Sequence, residues 1–178
     1  MSREPPTMHR QLVMIGCMGS QHEGSGSPPG RIVLLAPGEG DRIGSIAALK
    51  AGRADGDGRI TLIEYEAPPG FASPLHAHRD ADEAWFILEG LVTYHGDAWS
   101  AEAGPGSFIL VPRGTPHRYT VTGPTAARFL ELFTVGGKEA FFRDVVARRA
   151  RHAGHRLPYD EAKTVYDKYE IDLLEDAW

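Results

Sequence analysis

Three histidines and one glutamate carry the chemistry open to this sequence. His76 and His78 stand two residues apart, Glu83 follows after Arg79-Asp-Ala-Asp82, and His117 comes after the turn-forming Pro112-Arg-Gly114-Thr-Pro116. In a strand, side chains two apart share a face, so both imidazoles of the first pair point the same way. A hairpin at 79–82 would return the Glu83 carboxylate to that face, and His117 opens a later strand. Four inward groups from adjacent strands then converge on one point. Three neutral imidazoles and a carboxylate form a mixed nitrogen–oxygen set, suited to Fe, Mn, Ni, Co, Cu or Zn. The set carries one negative charge, so a divalent ion would leave net positive charge in a poorly solvated interior. That favours an anionic or enolate-like oxygen as a further ligand. Taken singly, each histidine also reads as an ordinary hydrogen-bonded strand residue.

The elements that must position these groups are short strands. From Arg31 onward, apolar runs alternate with Gly, Pro and Asp turns: Ile32–Leu35, Ile43–Lys50, Ile60–Glu66, Glu83–Leu88, Val92–His95, Ser107–Val111, His117–Val121 and Ala126–Val135. This spacing predicts an all-β sandwich or barrel. Asp55-Gly-Asp57-Gly58 reads as a hairpin loop. It fails as a calcium loop, because Arg59 takes a ligand position and Ile60 replaces the required Gly. After the Gly136-Gly137 break, Phe141, Phe142, Val145 and Val146 recur at helical spacing. Arg148, Arg149, Arg151 and His152 cluster at the end of that helix, where cations suit its dipole. A second helix spans about Tyr159–Tyr169. Residues 1–29 read as a tail, because the Gly/Ser/Pro-rich segment 20–30 buries too little apolar surface to order itself. The expected organisation is a tail over 1–29, a barrel over 30–136 and a helical extension over 137–178 that packs on the barrel.

Composition removes several function classes. The chain has 178 residues, 42% apolar and 24% charged, as in a soluble globular domain. No apolar run reaches the length of a spanning helix, so no membrane role is expected. Nineteen basic against 24 acidic residues give a net charge of −5, which argues against nucleic-acid binding. The single cysteine, Cys17, excludes an intrachain disulfide and a thiolate zinc cage. The run Leu12-Val-Met-Ile-Gly-Cys17 is shorter than the ~7–15 apolar residues of a secretory signal, so a cytoplasmic location is expected.

The two histidine segments resemble the paired signatures of the cupin superfamily. Gly70, His76, His78, Glu83 and Gly90 match the first pattern throughout. Gly106, Pro112, Gly114 and His117 match the second, whose final Asn is replaced here by Val121. The gap between them, 91–105, is short, as in single-domain bacterial members. The flanking texture, Glu64-Tyr-Glu-Ala-Pro-Pro-Gly70, Thr134–Phe142 and Tyr166–Asp172, is similar to the quercetin-2,3-dioxygenase-like group. The resemblance implies an all-β, jelly-roll β-barrel with C-terminal helices and one divalent transition metal held by His76, His78, Glu83 and His117. It implies tight turns at Gly90 and Gly114, and pairing of two copies into a homodimer.

Period-two counting from Glu83 places Trp85 and Ile87 in the pocket, and counting from His117 adds Tyr119 and Val121. Phe108 and Leu110 are expected on the opposite wall. An apolar, aromatic cavity with an ion at its base suits a planar or hydrophobic small molecule. The expected activity is that of a metal-dependent dioxygenase. Its substrate is a small hydroxylated aromatic or enolisable compound chelated to the ion, with dioxygen as co-substrate and Glu83 as ligand or base. A non-oxidative isomerase, lyase or decarboxylase, and a small-molecule-binding module without catalysis, are the alternatives.

Overall fold

The computed structural model describes residues 32–55, 58–96 and 98–175. The expected tail over 1–29, with Cys17, lies outside the described residues, as do Gly56 and Asp57 of the expected hairpin loop. Chain order is β1 (Asp41–Ile43), β2 (Ala47–Ala51), β3 (Thr61–Ala67), β4 (His76–His78), β5 (Glu83–Glu89), β6 (Val92–His95), β7 (Ser100–Ala103), β8 (Phe108–Val111), β9 (Arg118–Val121) and β10 (Ala127–Phe133). Then come α1 (Glu139–Arg151), α2 (Tyr159–Lys168) and β11 (Ile171–Leu173).

Period-two patterning builds the sheets. β3 buries Thr61, Ile63, Tyr65 and Ala67 and turns Leu62, Glu64 and Glu66 outward. β10 does the same with Ala127, Phe129, Glu131 and Phe133. These two central strands pair over their full length, Ala127 with Ala67 through Phe133 with Thr61. The first sheet runs β1-β2-β3-β10-β5-β8 and is antiparallel at every pair. A second sheet runs β7-β6-β9, and bridges at Ala72–Thr120 and His76–His117 carry it on to the β4–β11 pair. One core lies between them, with Ile63, Trp85, Ile87 and Phe129 facing Val92, Tyr94, Tyr119 and Val121. The result is an all-β jelly roll with C-terminal helices, whose hydrogen-bonded ladders do not close into one continuous barrel.

Gly90 makes the β5–β6 turn with φ +78°, and a Cβ there would sit 2.6 Å from the Cα of Ala127. Only glycine meets both demands. The run Ile32–Leu35 forms no strand. Ile32 and Leu34 are exposed, and the edge of the sheet is β1 instead. The helices hold a second cluster, with Phe141, Leu157, Val165, Tyr166 and Ile171 buried together. Phe142 packs against both clusters and so joins the helical layer to the jelly roll. The described part of the extension is not helical throughout: after α2, Ile171–Leu173 returns as β11 and pairs with β4. No helix among the described residues is long and apolar enough to cross a membrane.

Candidate metal centre

The strand that carries His76 and His78 is held on both sides. On one side β11 pairs Ile171 with His78 and Leu173 with His76. On the other, the backbones of His76 and His117 exchange two hydrogen bonds, of 3.0 and 2.9 Å. Two of the four donor residues are thus locked back to back by their main chains. The Pro112–Pro116 turn closes over the end of β4, where the Gly114 N–H donates to the His78 carbonyl at 2.7 Å. Gly114 has φ +76°, a conformation that disfavours any side chain. Loop 79–82 brings the chain back to Glu83. The Asp82 N–H donates to Thr134 Oγ1 at 3.0 Å, and the Arg113 N–H donates to Asp82 Oδ1 at 3.0 Å.

The four side chains meet. One donor atom from each of His76, His78, Glu83 and His117 lies within 4.8 Å of all the others, and all four residues are buried. Nδ1–H of His76 donates to the Pro74 carbonyl at 2.8 Å, and Nδ1–H of His117 donates to the Thr115 carbonyl at 2.8 Å. Such bonds fix the tautomer and leave Nε2 to face the centre, as in metal-bound imidazoles. Glu83 Oε2 lies 3.0 Å from His117 Nε2 in hydrogen-bond geometry. It lies 2.9 Å from His78 Nε2 as an ion-pair contact, yet neither ring nitrogen of His78 makes a hydrogen bond of good geometry. A fully buried imidazole left in this state is costly unless something else takes its lone pair. Donors around one ion at ~2.0–2.3 Å lie up to about 4.5 Å apart, so this donor set fits a transition metal with small side-chain adjustments.

The electrostatics follow from burial and mutual proximity. Burial, with the neighbouring rings of His117 and His78, pushes His76 down to about 3. It is neutral and has its lone pair ready. Burial alone would lower His117 as well, but its hydrogen bond to Glu83 and the charge of Glu83 outweigh this and raise it. For Glu83, burial works against the charged form. The closeness of His78 and the hydrogen bond from His117 outweigh this, and its carboxyl stays well below the usual range.

The structure adds a residue that the sequence reading passed over. Glu131, on β10, is 3% exposed and aims into the same inner cavity as His76, His78 and Glu83. Its Oε1 accepts a hydrogen bond from Trp85 Nε1 at 3.2 Å, while Oε2 is buried with none of good geometry. Burial, then the charge of Glu83 beside it, raises the Glu131 carboxyl well above its ordinary value. A signal for it existed: Glu131 breaks an inward apolar series of Ala127, Phe129 and Phe133.

The expected pocket residues divide. Tyr119 lines the cavity. Trp85 is buried behind the cluster, its ring 5.5 Å from that of His117, and Ile87 and Val121 are core. Phe108 and Leu110 are a correction, since they are 65% and 57% exposed. Residues directly paired across a ladder share a face. Ile109 pairs with Trp85 and Val111 with Glu83, so Ile109 and Val111 point inward while Phe108 and Leu110 point out. The inner cavity, about 50 Å3, adjoins an outer one of about 520 Å3 roofed by α1. Ser73, Tyr119, Phe141, Phe142 and Tyr166 line both.

A jelly roll with a buried three-histidine, one-glutamate cluster on adjoining strands defines a class. Residues 63–133 match the cupin domain family, and the chain resembles cupins over that segment. It resembles the quercetin 2,3-dioxygenase of Bacillus subtilis, with 27% identity over 138 residues, 76% of this chain and 40% of the relative. A germin-like protein of Arabidopsis thaliana is 30% identical over 79 residues, 42% of this chain and 36% of that protein. The chain therefore spans less than half the length of either. Among solved structures, a predicted oxalate decarboxylase from Thermotoga maritima superposes with a TM-score of 0.48 and 22% identity, covering 50% of this chain and 78% of that one. The polyketide cyclase RemF of Streptomyces resistomycificus gives 0.45 and 29%, covering 49% and 62%.

Proposed function

We propose that this protein is a metal-dependent cupin enzyme, with His76, His78, Glu83 and His117 holding one divalent transition ion. We infer a dioxygenase acting on a small hydroxylated aromatic or enolisable substrate. The observation that carries the reading is the buried convergence of four donor atoms around a His78 ring with no hydrogen bond of its own. The likeness to the Bacillus dioxygenase supports the reaction class. A bound ion would supply Lewis acidity toward a substrate oxygen and, with dioxygen present, a path for electron transfer. The chain's own residues do the rest. Pro74 and Thr115 carbonyls hold two imidazoles in one orientation. Glu83 stays ionised and is the group that can take a substrate proton. Phe133, Phe141 and Phe142, with Tyr166, line the inner cavity and keep bulk water from it.

A non-oxidative isomerase, lyase or decarboxylase is the second reading. It is favoured by Glu131, a second buried carboxyl with an oxygen free of good hydrogen bonds beside Glu83, which suits proton transfer across a substrate. One set of experiments decides. Protein purified without tag or chelator is assayed for metal content, then for oxygen uptake with a flavonol, in wild type and His117→Ala. One bound metal and oxygen uptake lost in the variant support the dioxygenase. Turnover under strict anaerobiosis moves the assignment to the second reading. Protein that neither holds nor takes up metal overturns both, and tight ligand binding without turnover leaves a binding module. The accompanying expectations of a cytoplasmic homodimer are checked by cell fractionation and by light scattering.

A further inference from the structure

Two cavities meet over the donor cluster, and they differ in size and in what builds them. The inner one, about 50 Å3, is lined by His76, His78, Glu83 and Glu131. A water takes up about 10–15 Å3 of cavity, so the inner space holds a few water-sized groups and not a fused ring system. The outer one, about 520 Å3, is within the range of small-molecule sites. Gly44, Ser45, Val146 and Ala150 on its wall are exposed, so it opens to solvent between the β1–β2 turn and α1.

Much of the outer wall comes from segments outside residues 63–133, the part that matches the cupin family. α1 turns Phe142, Val145 and Val146 to it, spaced i, i+3 and i+4 and so on one helix face. Ile43 and Ile46 line it from β1 and the turn that follows. Arg149 also lines the cavity and is engaged within the protein. Phe142 stands where the two cavities meet, and lines both. Its ring is 5.9 Å from that of Phe133, which lines the inner cavity and not the outer. It is 6.2 Å from that of Tyr65, which lines the outer cavity and not the inner. Phe141 packs edge-on against it at 5.1 Å, so the ring is held from three sides.

We propose that the outer cavity binds the apolar body of the substrate, and that Phe142 is the partition that lets only a small oxygen-bearing head pass to the donor cluster. The substrate is then a two-part molecule, a chelating head of a few atoms on an uncharged, ring-bearing body. The proposal deepens the metalloenzyme reading and rests on it for the word substrate. The partition itself needs no metal. A Phe142 that served packing alone would shield the inner cavity no more than any other side chain of the helical layer.

The test has a metal-loaded arm and a metal-free arm. Cobalt(II)-loaded protein is titrated with acetohydroxamate and naphthohydroxamate, two ligands with one head, and visible cobalt absorption reports the arrival of that head. The naphthyl ligand should bind about tenfold more tightly, through burial of its rings in the outer cavity. Val146→Trp, which fills that cavity, should remove the advantage and leave acetohydroxamate unchanged. In metal-free protein, modification by diethylpyrocarbonate is followed at each histidine by peptide mass spectrometry. Phe142→Ala should speed modification of His76, His78 and His117 several-fold and leave the exposed His155 unchanged. Val165→Ala, a truncation in the same helical layer that lines neither cavity, should not speed it. Phe142→Leu takes the place of Phe142→Ala if that variant misfolds. Equal affinity of the two hydroxamates, a naphthyl advantage that survives Val146→Trp, or histidines no more reactive in the Phe142 variant than in Val165→Ala overturns the proposal. Shielding by Phe142 in a protein that takes up no cobalt keeps the partition and overturns the metalloenzyme reading instead.

Discussion

Ile171 is paired in register with His78 across the β11–β4 ladder, so the C-terminal strand is the backing of the strand that carries two donor histidines. Ile171 is fully buried, in the cluster that also holds Phe141 and Tyr166. The helical extension therefore reaches the site through main-chain pairing as well as through packing. The Arg79 side chain reinforces the joint by bonding to Glu170, Asp172 and the Asp167 carbonyl.

Ile171→Ala should cost about 2–4 kcal/mol, the transfer of the lost carbons plus the cavity left behind. Thermal melts with and without metal check this. The melting temperature should fall in both, and metal should be held more weakly because β4 loses its backing. An unchanged melt would mean that β11 does not support the site.

Metal binding should weaken as pH is lowered. The ion needs neutral imidazoles, and His76 is already neutral down to about 3. His117 holds its proton more tightly than a free histidine because of Glu83. Affinity should therefore rise with pH and flatten above the raised value of His117, with protons released on uptake. Isothermal titration in two buffers of different ionisation enthalpy measures that release. Saturating metal at a hundredfold excess over Kd should add about 2.7 kcal/mol to stability, and His117→Ala should abolish most of the gain.

Lys138 is 4% exposed and donates to Asp80 Oδ1 at 2.6 Å and to the Tyr169 carbonyl at 2.8 Å. It ties the loop between His78 and Glu83 to the end of α2. Lys138→Met should cost about 2–4 kcal/mol, since an acidic group and a carbonyl lose their buried partner. Chemical denaturation measures it. Asp80→Asn, at a more exposed position, should cost less.

Glu131→Gln replaces a carboxyl whose folded value is raised by burial and by Glu83. Such a group stabilises the fold fully below its unfolded value, near 4.5, and that contribution is lost as pH rises through the raised folded value. Wild type should thus lose stability with rising pH over that window, and the glutamine variant should lose less. Metal content should be unchanged. If Glu131 moves a proton in turnover, activity should fall about a hundredfold, within the usual range for such groups. Activity equal to wild type would remove it from the chemistry.

Much of the site was legible because period-two geometry and turn chemistry are local. His76 and His78 share a face in any strand, and Pro112 and Gly114 mark a turn wherever they occur. Parity within a strand is local too, but which parity faces inward depends on the partner. Sequence parity alone allows Phe108 and Leu110 to face in, and the pairing of Ile109 with Trp85 turns them out. Glu131 is not legible in the same way, because a carboxylate in an apolar strand reads as a surface residue until its neighbours are known.

By itself the sequence determined the all-β class, the two helices and the four donor residues, since spacing, glycines and prolines act within a few residues of chain. The tertiary structure alone decided that β11 would back β4, that Glu131 would stand beside Glu83, and that α1 would roof the cavity above them. Those contacts join segments tens of residues apart, and pairing register with the packing of a shared core sets them, which no local pattern encodes.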